Sequence, residues 1–289
     1  MNYSLNRLQL YRCALASSFL LLAFVVIGCK EPSHPVDSHP SGGIDKHGSH
    51  TSQVAKIVLA DASDKLQSGN PVTLQFHLEH ENRPIADLVP LHERLVHLIA
   101  IREGLDQFSH VHPTVDAGGK MTVQLTFPVP GNYFLYVDYQ PMGGSASTAK
   151  TQLTIPGDVI RAMPLIPNES PEITVENLKA RVTVDTAKSE AKVTFQIRDE
   201  DDTQVSDLQP YLGAMGHLVI VSADGHQYVH AHPIDDAKAS LIGTVAFGAH
   251  FQQPGIYKLW GQFQRDDEII TIPFVVDYQA TGDEHSKHR

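Results

Sequence analysis

Basic side chains are scarce in this chain of 289 residues, which has 22 lysines and arginines against 33 aspartates and glutamates. The formal net charge is −11 at pH 7. A protein that binds nucleic acid needs a basic footprint for the phosphates, so we expect no nucleic-acid partner. The 42% hydrophobic and 19% charged residues are typical of a globular protein, and the length allows about two domains.

Catalytic signatures are also missing from the sequence. It contains no Ser/His/Asp or Cys/His nucleophile arrangement, no glycine-rich loop for phosphates and no His-Glu-x-x-His motif. We therefore predict a protein that is not an enzyme.

Cysteine occurs twice, as Cys13 and Cys29, and both lie near the N-terminus. Two arginines precede an uncharged run, Cys13–Ile27, which is short for a membrane span but typical of the hydrophobic part of a signal peptide. The residues that end it, Val26–Cys29, resemble the bacterial lipobox. The resemblance implies cleavage after Gly28 and a lipid on Cys29, so residues 1–28 are predicted to be a lipoprotein signal peptide. The alternative is a single-span membrane anchor.

Removal of Cys13 with the signal peptide leaves Cys29 without a partner for an internal disulfide, which favours acylation of its thiol. We expect a protein of the bacterial cell envelope, extracytoplasmic or periplasmic, with its lipid in the membrane. Lys30 is compatible with the outer membrane of a Gram-negative cell. Residues 29–53, rich in Ser, Pro, Gly and His, predict a flexible tether, and residues 280–289 a disordered tail.

The rest of the sequence is an internal repeat. A shift of 120 residues aligns Ile85–Ala117 with Val205–Ala237 without a gap, and 11 of these 33 positions are identical. After a four-residue difference in length, Thr126–Gln140 aligns with His250–Gln264. We infer two copies of one domain, at residues 54–156 and 172–279.

Each copy has short runs of alternating apolar and polar residues between turn signals. Val72–Leu78 is an example, with one apolar and one polar face. Seven such runs in the first copy, without a long helical period, predict an all-β chain of two tandem immunoglobulin-like antiparallel β-sandwiches after the signal peptide and tether.

Histidines are the best candidates for function. In both copies a strand with one histidine leads through a polar turn to a His-x-His-Pro strand, and residues two apart on a strand point to the same face. Pairing His97 directly with His110 would make three imidazoles converge in each copy. The predicted metal ligands are His97, His110 and His112 in the first copy and His217, His230 and His232 in the second.

Three neutral imidazoles with an open position suit copper or zinc, and the usual order of affinities favours copper. Asp116 and Asp236 follow each motif and could orient an imidazole or add a ligand. The alternative is that the histidines are structural polar residues. His92 has no counterpart in the second copy, and we expect it to add a donor to the first site.

Three motifs, His97-Leu98, His110–Pro113 and Phe127–Tyr133, follow one another behind the signal and recur in the second copy. This combination resembles the YtkA-like and FixH-like extracytoplasmic β-sandwich domains over Val72–Ile155 and Ala191–Asp277. The resemblance implies a β-sandwich in a bacterial envelope protein connected with copper or heavy-metal handling.

The leading hypothesis is a lipid-anchored envelope protein that buffers copper or zinc or delivers it to a metal-transport partner in the envelope. The alternative is a tandem β-sandwich interaction or scaffold module in which the histidines are purely structural.

We predict that Cys29→Ser abolishes lipid attachment, because Cys29 supplies the anchor thiol. The variant should be unprocessed or released from membranes, as fractionation and mass spectrometry would show. Membrane retention of correctly cleaved Cys29→Ser protein would contradict the lipobox interpretation.

Overall fold

Two antiparallel β-sandwiches in tandem make up the protein, as the repeat predicts. A computed structural model describes residues 55–60, 66–158, 160–186, 190–234 and 242–279. Within these ranges every regular element is a strand, and no helix is long and apolar enough to cross a membrane. The predicted signal peptide, Cys29, the tether, the tail and Asp236 lie outside the described residues.

The first copy has nine strands, two of them only two residues long. They are β1 (Lys56–Leu59), β2 (Pro71–His80), β3 (Arg83–Pro84), β4 (Val96–Arg102), β5 (Phe108–Val111), β6 (Thr114–Val115), β7 (Met121–Thr126), β8 (Gly131–Tyr139) and β9 (Ser147–Ile155).

The second copy has eight strands. They are β10 (Glu172–Val175), β11 (Leu178–Asp185), β12 (Ala191–Arg198), β13 (His217–Ser222), β14 (Tyr228–Ala231), β15 (Thr244–Ala249), β16 (Gly255–Arg265) and β17 (Glu268–Tyr278).

Each copy folds into two sheets, which we call outer and inner. In the first copy the outer sheet has the order β1-β2-β7-β6, with β3 paired to β2, and the inner sheet the order β5-β4-β8-β9. In the second copy the outer sheet is β10-β11-β12-β15 and the inner sheet is β14-β13-β16-β17. These pairings are those of an immunoglobulin-type sandwich.

Each sandwich has its own apolar core between its outer and inner sheets. In β2 the buried residues are Val72, Leu74, Phe76 and Leu78, which alternate with more exposed polar ones. Phe195, Phe247 and Phe263 pack together in the second core, with ring centroids 5.2 to 6.3 Å apart.

The Phe-x-x-Pro-Gly-x-Tyr motif builds the corner where the chain enters strand β8 or β16. The Tyr133 hydroxyl donates a hydrogen bond of 2.8 Å to the Val129 carbonyl, and Tyr257 donates one of 2.7 Å to Gln253. Such a bond, four residues back along the chain, is the tyrosine corner of immunoglobulin-like domains. Gly131 has a φ of +130°, which residues with a Cβ rarely adopt.

Strands β4 and β13 of the inner sheets are buried on both faces, because the two inner sheets pack against each other. Every residue of β4 and of β13 is buried. In β4, Leu98 and Ala100 lie in the core of the first sandwich, whereas Ile99 and Ile101 face the second copy.

The contact between the copies is a third apolar cluster, which we call the inter-copy core. Its residues come from both inner sheets, and the fully buried ones are Ile99, Ile101, Leu105, Phe134, Tyr136, Val219, Val221 and Trp260. Burial of these side chains stabilises the packing of the two copies against each other, in addition to the fold of each copy.

Stacked aromatic pairs within the inter-copy core are related by an approximate two-fold axis. Tyr136 stacks on Tyr228 with centroids 4.2 Å apart, and Trp260 stacks on Phe108 at 4.9 Å. In the repeat alignment Tyr136 corresponds to Trp260, and Phe108 corresponds to Tyr228. The interface is therefore nearly isologous, as in a symmetric dimer.

Trp260 is the single tryptophan of the chain, and its exposed fraction is only 4%. We predict that its fluorescence emission lies at short wavelength in the full chain. In a fragment Glu169–Gln279 the emission should shift to longer wavelength, because the fragment exposes the inter-copy face while its own sandwich core remains. Circular dichroism should confirm that the fragment is folded, and equal emission from a folded fragment and the full chain would contradict the inter-copy core.

Candidate metal centre

The six predicted histidines converge on one cluster between the inner sheets, beside the inter-copy core. The rings of His110 and His230, which belong to different copies, have centroids 5.1 Å apart, and those of His97 and His230 are 5.3 Å apart. The prediction of two separate patches is therefore wrong. Within each copy the three histidines do lie on one face of the sheet, but the other copy covers that face.

The strand register differs from the predicted one by two residues. His110 pairs with Ile99 rather than with His97, and in the second copy His230 pairs with Val219. Extending this register by one step places His112 opposite His97. His97 and His110 still meet, as diagonal neighbours on the same face.

The geometry gives two overlapping groups of nitrogen atoms that could hold a metal ion. The nitrogens of His97, His110 and His230 lie within 4.8 Å of one another, and so do those of His217, His230 and His232. The first group combines histidines of both copies. We use the name triad for the three histidines of one copy: His97, His110 and His112 form the first triad, and His217, His230 and His232, which are also the second group, form the second triad.

Hydrogen bonds to carbonyl groups fix the protonation of one histidine in each triad. His97 Nε2 lies 2.8 Å from the Leu91 carbonyl oxygen, and His217 Nε2 lies 2.8 Å from that of Tyr211. A carbonyl can only accept, so Nε2 carries the hydrogen in both rings. In the neutral rings Nδ1 is then unprotonated and directs its lone pair into the cluster.

A second pair of histidines is fixed by side chains of the other copy. His110 Nδ1 lies 2.7 Å from Gln262 Oε1, and His230 Nδ1 lies 2.8 Å from Asp138 Oδ2. Both oxygens accept, so Nδ1 carries the hydrogen and Nε2 offers a lone pair. A metal-binding histidine is usually held in this way, by donation from its other nitrogen.

Two of these lone pairs face each other at the distance that a metal ion requires, because His97 Nδ1 and His110 Nε2 are 3.1 Å apart. His112 Nε2 lies 3.3 Å from His110 Nε2, and it either donates a hydrogen bond to that nitrogen or, in the other tautomer, offers a third lone pair. Nitrogens bound to one tetrahedral zinc ion are separated by about 3.3 Å. Because the nitrogens of His97 and His110 are both unprotonated in the neutral rings, a cation satisfies them where a hydrogen bond cannot.

The second triad has three buried nitrogens without a hydrogen-bond partner among the described residues. They are Nδ1 of His217 and Nε2 of His230 and His232. An unpaired buried polar atom is destabilising and rare, and a group of three that point together indicates a ligand site.

Burial keeps the imidazoles neutral, which is the form that binds metal. It lowers the pKa of His110 and His230 well below the usual value, with a further contribution from the neighbouring histidines. Burial likewise lowers the pKa of His112 to about 3, of His217 to about 4 and of His232 to about 2.

A seventh histidine, His92, joins the cluster. It lies in a tight hairpin turn in which Leu91 and Arg94 exchange backbone hydrogen bonds, and its φ is +50°. Its ring stacks on His232 with centroids 3.3 Å apart. The ring of His92 thus contacts the second triad and also lies 6.3 Å from that of His97, and the expectation that it adds a donor to the first site stays a prediction.

A cleft of about 240 Å³ reaches the cluster from one side. Its lining includes His92, His230 and His232 together with Asp138 and Tyr228. The second triad is thus accessible to a small ion, and the cleft provides an entry path.

Asp116 has a role different from the predicted one. Its carboxylate accepts backbone hydrogen bonds of 2.9 Å from Gly118 and Lys120, which closes its own turn. The carboxylate that bonds a cluster histidine is Asp138, which also accepts from Thr148 and Tyr228. The sequence did contain a signal for the role of Asp138, because Asp138 aligns with Gln262 and both lie on strands that carry aromatic residues.

One family matches both copies. The family described as Domain of unknown function (DUF8832) covers residues 52–157 and 173–280. The chain belongs to this family. The resemblance to YtkA-like and FixH-like domains stays a prediction, and comparison with curated proteins gives no match.

Solved structures give weak similarity. The chain is 11% identical to a tetra-tandem repeat of a large adhesion protein, with a TM-score of 0.26, 78% of this chain covered and 50% of that one. It is 10% identical to two fibronectin type-III domains of chicken tenascin, with a TM-score of 0.22, 78% of this chain covered and 99% of that one. The chain spans about half the length of the first two structures it matches. Similarity at this level carries no information about function.

We predict that the metal-free protein loses stability as the pH falls below 6.5. The unfolded chain takes up protons at about pH 6.5, whereas the folded cluster does not, so stability rises with pH in this range. The lowered pKa of His217 alone should reduce the free energy of unfolding by about 2 kcal/mol at pH 5 relative to pH 8. Burial raises the pKa of Asp138, which acts in the opposite direction, but seven histidines outnumber one carboxylate.

Urea unfolding of protein treated with chelator at pH 8, 6 and 5 would measure this effect. His217→Gln should reduce the loss, and His226→Gln, at an exposed position, should not. A free energy of unfolding that stays constant from pH 8 to pH 5 would contradict the buried neutral cluster.

Proposed function

We propose that this protein binds a transition metal, with copper favoured over zinc, in the histidine cluster between its two sandwiches, and that it buffers or delivers this metal at the bacterial envelope. The observation that carries the proposal is the set of four buried imidazoles whose lone pairs are aimed into one cluster by hydrogen bonds on their other nitrogens.

The donor set supports copper or zinc over hard cations. The candidate ligands are imidazole nitrogens, which suit zinc and copper, whereas calcium and magnesium prefer oxygen. The affinity of nitrogen sites for divalent ions generally peaks at copper.

Reversible binding is supported by the cleft that reaches the second triad. A closed structural zinc site uses four protein ligands and excludes solvent. Here the cleft lies beside His230 and His232, so an ion could be exchanged with solvent or with a metal-transport partner without unfolding of the sandwiches.

The envelope location depends on the sequence. The lipobox-like residues at Cys29 favour a lipid-anchored, extracytoplasmic protein, with the metal centre carried beyond the predicted tether. Lys30, which follows the anchor, is compatible with the outer membrane of a Gram-negative cell. We propose no catalytic activity, because the chain carries none of the nucleophile motifs.

The inter-copy core favours a second candidate, a rigid tandem interaction module. In that case the packing of Tyr136, Trp260 and their partners holds the copies together, and the histidines only complete the interface. The two functions differ in whether purified protein contains metal.

We predict that protein purified without a histidine tag binds about two copper or zinc ions, because the cluster contains two triads. His230→Ala should abolish binding of the ion held by the second triad, because it removes the Nε2 donor that lies beside the nitrogens of His217 and His232. Elemental analysis and calorimetry would measure stoichiometry and affinity.

His226→Ala provides the matched control, because His226 is exposed and lies on the same hairpin. Absence of bound metal above background, or equal binding by the wild type and His230→Ala, would reject the metal function and favour the interaction module.

A further inference from the structure

The approximate two-fold axis relates the triads, but it does not relate the charged groups around them. Asp138 bonds His230 of the second triad, and at the equivalent position Gln262 bonds His110 of the first. One triad is thus supported by a carboxylate and the other by a neutral amide of similar geometry.

The carboxylate makes His230 the stronger donor. Hydrogen bonding of a ligand histidine to a carboxylate raises the basicity of the ring and stabilises the positive charge of the bound ion. Asp138 is the one buried carboxylate among the residues that the structure describes. It is also the cross-strand neighbour of His97, but its oxygens bond His230, Tyr228 and Thr148.

A second asymmetry acts in the same direction. Burial is the main cause of the lowered pKa of His97 and His112, and the positive charge of Arg94 lowers both further, whereas Asp138 raises the pKa of His97. The equivalent of Arg94 in the second copy is Ala214, which has no charge. A cation in the first triad is therefore repelled by a guanidinium that the second triad lacks.

Access distinguishes the triads as well. The cleft is lined by His230 and His232 of the second triad, and no histidine of the first triad belongs to its lining. An ion that enters from solvent by this path meets the second triad before it meets the first.

We propose that the two triads are inequivalent, that the second triad of His217, His230 and His232 fills first, and that Asp138 is the positioning residue that sets this order. This inference rests on the proposed metal function. From the sequence, His92 was expected to add a donor to the first site, whereas this proposal gives the higher affinity to the second triad.

Two isosteric substitutions test the role of Asp138. Asp138→Asn removes the carboxylate and keeps an acceptor for His230, and Gln262→Glu places a carboxylate on His110. The double variant moves the charge across the approximate axis without changing side-chain length. All proteins are full-length chains in detergent with glutamine at the six histidines of the predicted tether and tail, namely His34, His39, His47, His50, His285 and His288.

Copper(II) calorimetry with electron paramagnetic resonance gives the readout. In the wild type we expect two binding steps, of which His232→Ala removes the tighter and His112→Ala the weaker. Asp138→Asn should weaken the tighter step 10- to 100-fold, the usual effect of losing such a partner, and change the spectrum of the first equivalent. In the double variant His112→Ala should instead remove the tighter step.

The outcomes separate this inference from the proposed function. Two steps of equal affinity, or a tighter step that Asp138→Asn leaves unchanged, would overturn the inference while the metal function stands. A tighter step that stays in the second triad of the folded double variant would also overturn it. Absence of copper binding would overturn both.

Discussion

The contact between the two inner sheets is the constraint on which the other features depend. It buries the face of β4 and β13 that the sandwich cores do not cover, and it brings the rings of His110 and His230, from different copies, to a centroid separation of 5.1 Å. Each histidine that would otherwise lie on a solvated sheet face is thereby desolvated and held neutral. The same contact supplies Asp138 and Gln262, each of which orients an imidazole of the other copy.

The fold was largely predictable because the signals for it are local. Alternation in Val72–Leu78 predicts a half-buried strand, and β2 spans that segment. The repeat predicts two copies, and the Phe-x-x-Pro-Gly-x-Tyr motif marks a corner that both copies form. What the sequence pattern did not predict is that the copies share a face, since alignment with a shift of 120 residues relates them only along the chain.

A signal for the shared face was nevertheless present. Segments such as Leu98–Ile101 and Leu218–Val221 are apolar without alternation, which is typical of strands buried on both faces. Together with the aromatic residues Phe134, Tyr136 and Trp260, they indicate that one sheet of each copy is covered on both sides, by the other sheet of its own sandwich and by a further layer. The histidines were identified correctly as a group, but their register and their partners depend on that contact and could not be derived from one copy alone.

The approximate two-fold axis has a consequence for how such a centre can vary. If a single domain built the same cluster by pairing with an identical chain, each residue would occur at both equivalent positions, so both imidazoles would have the same partner. Fusion of the copies into one chain removes that restriction. Position 138 can then carry a negative charge while position 262 stays neutral, and the two sides of one interface become free to bind with different strength.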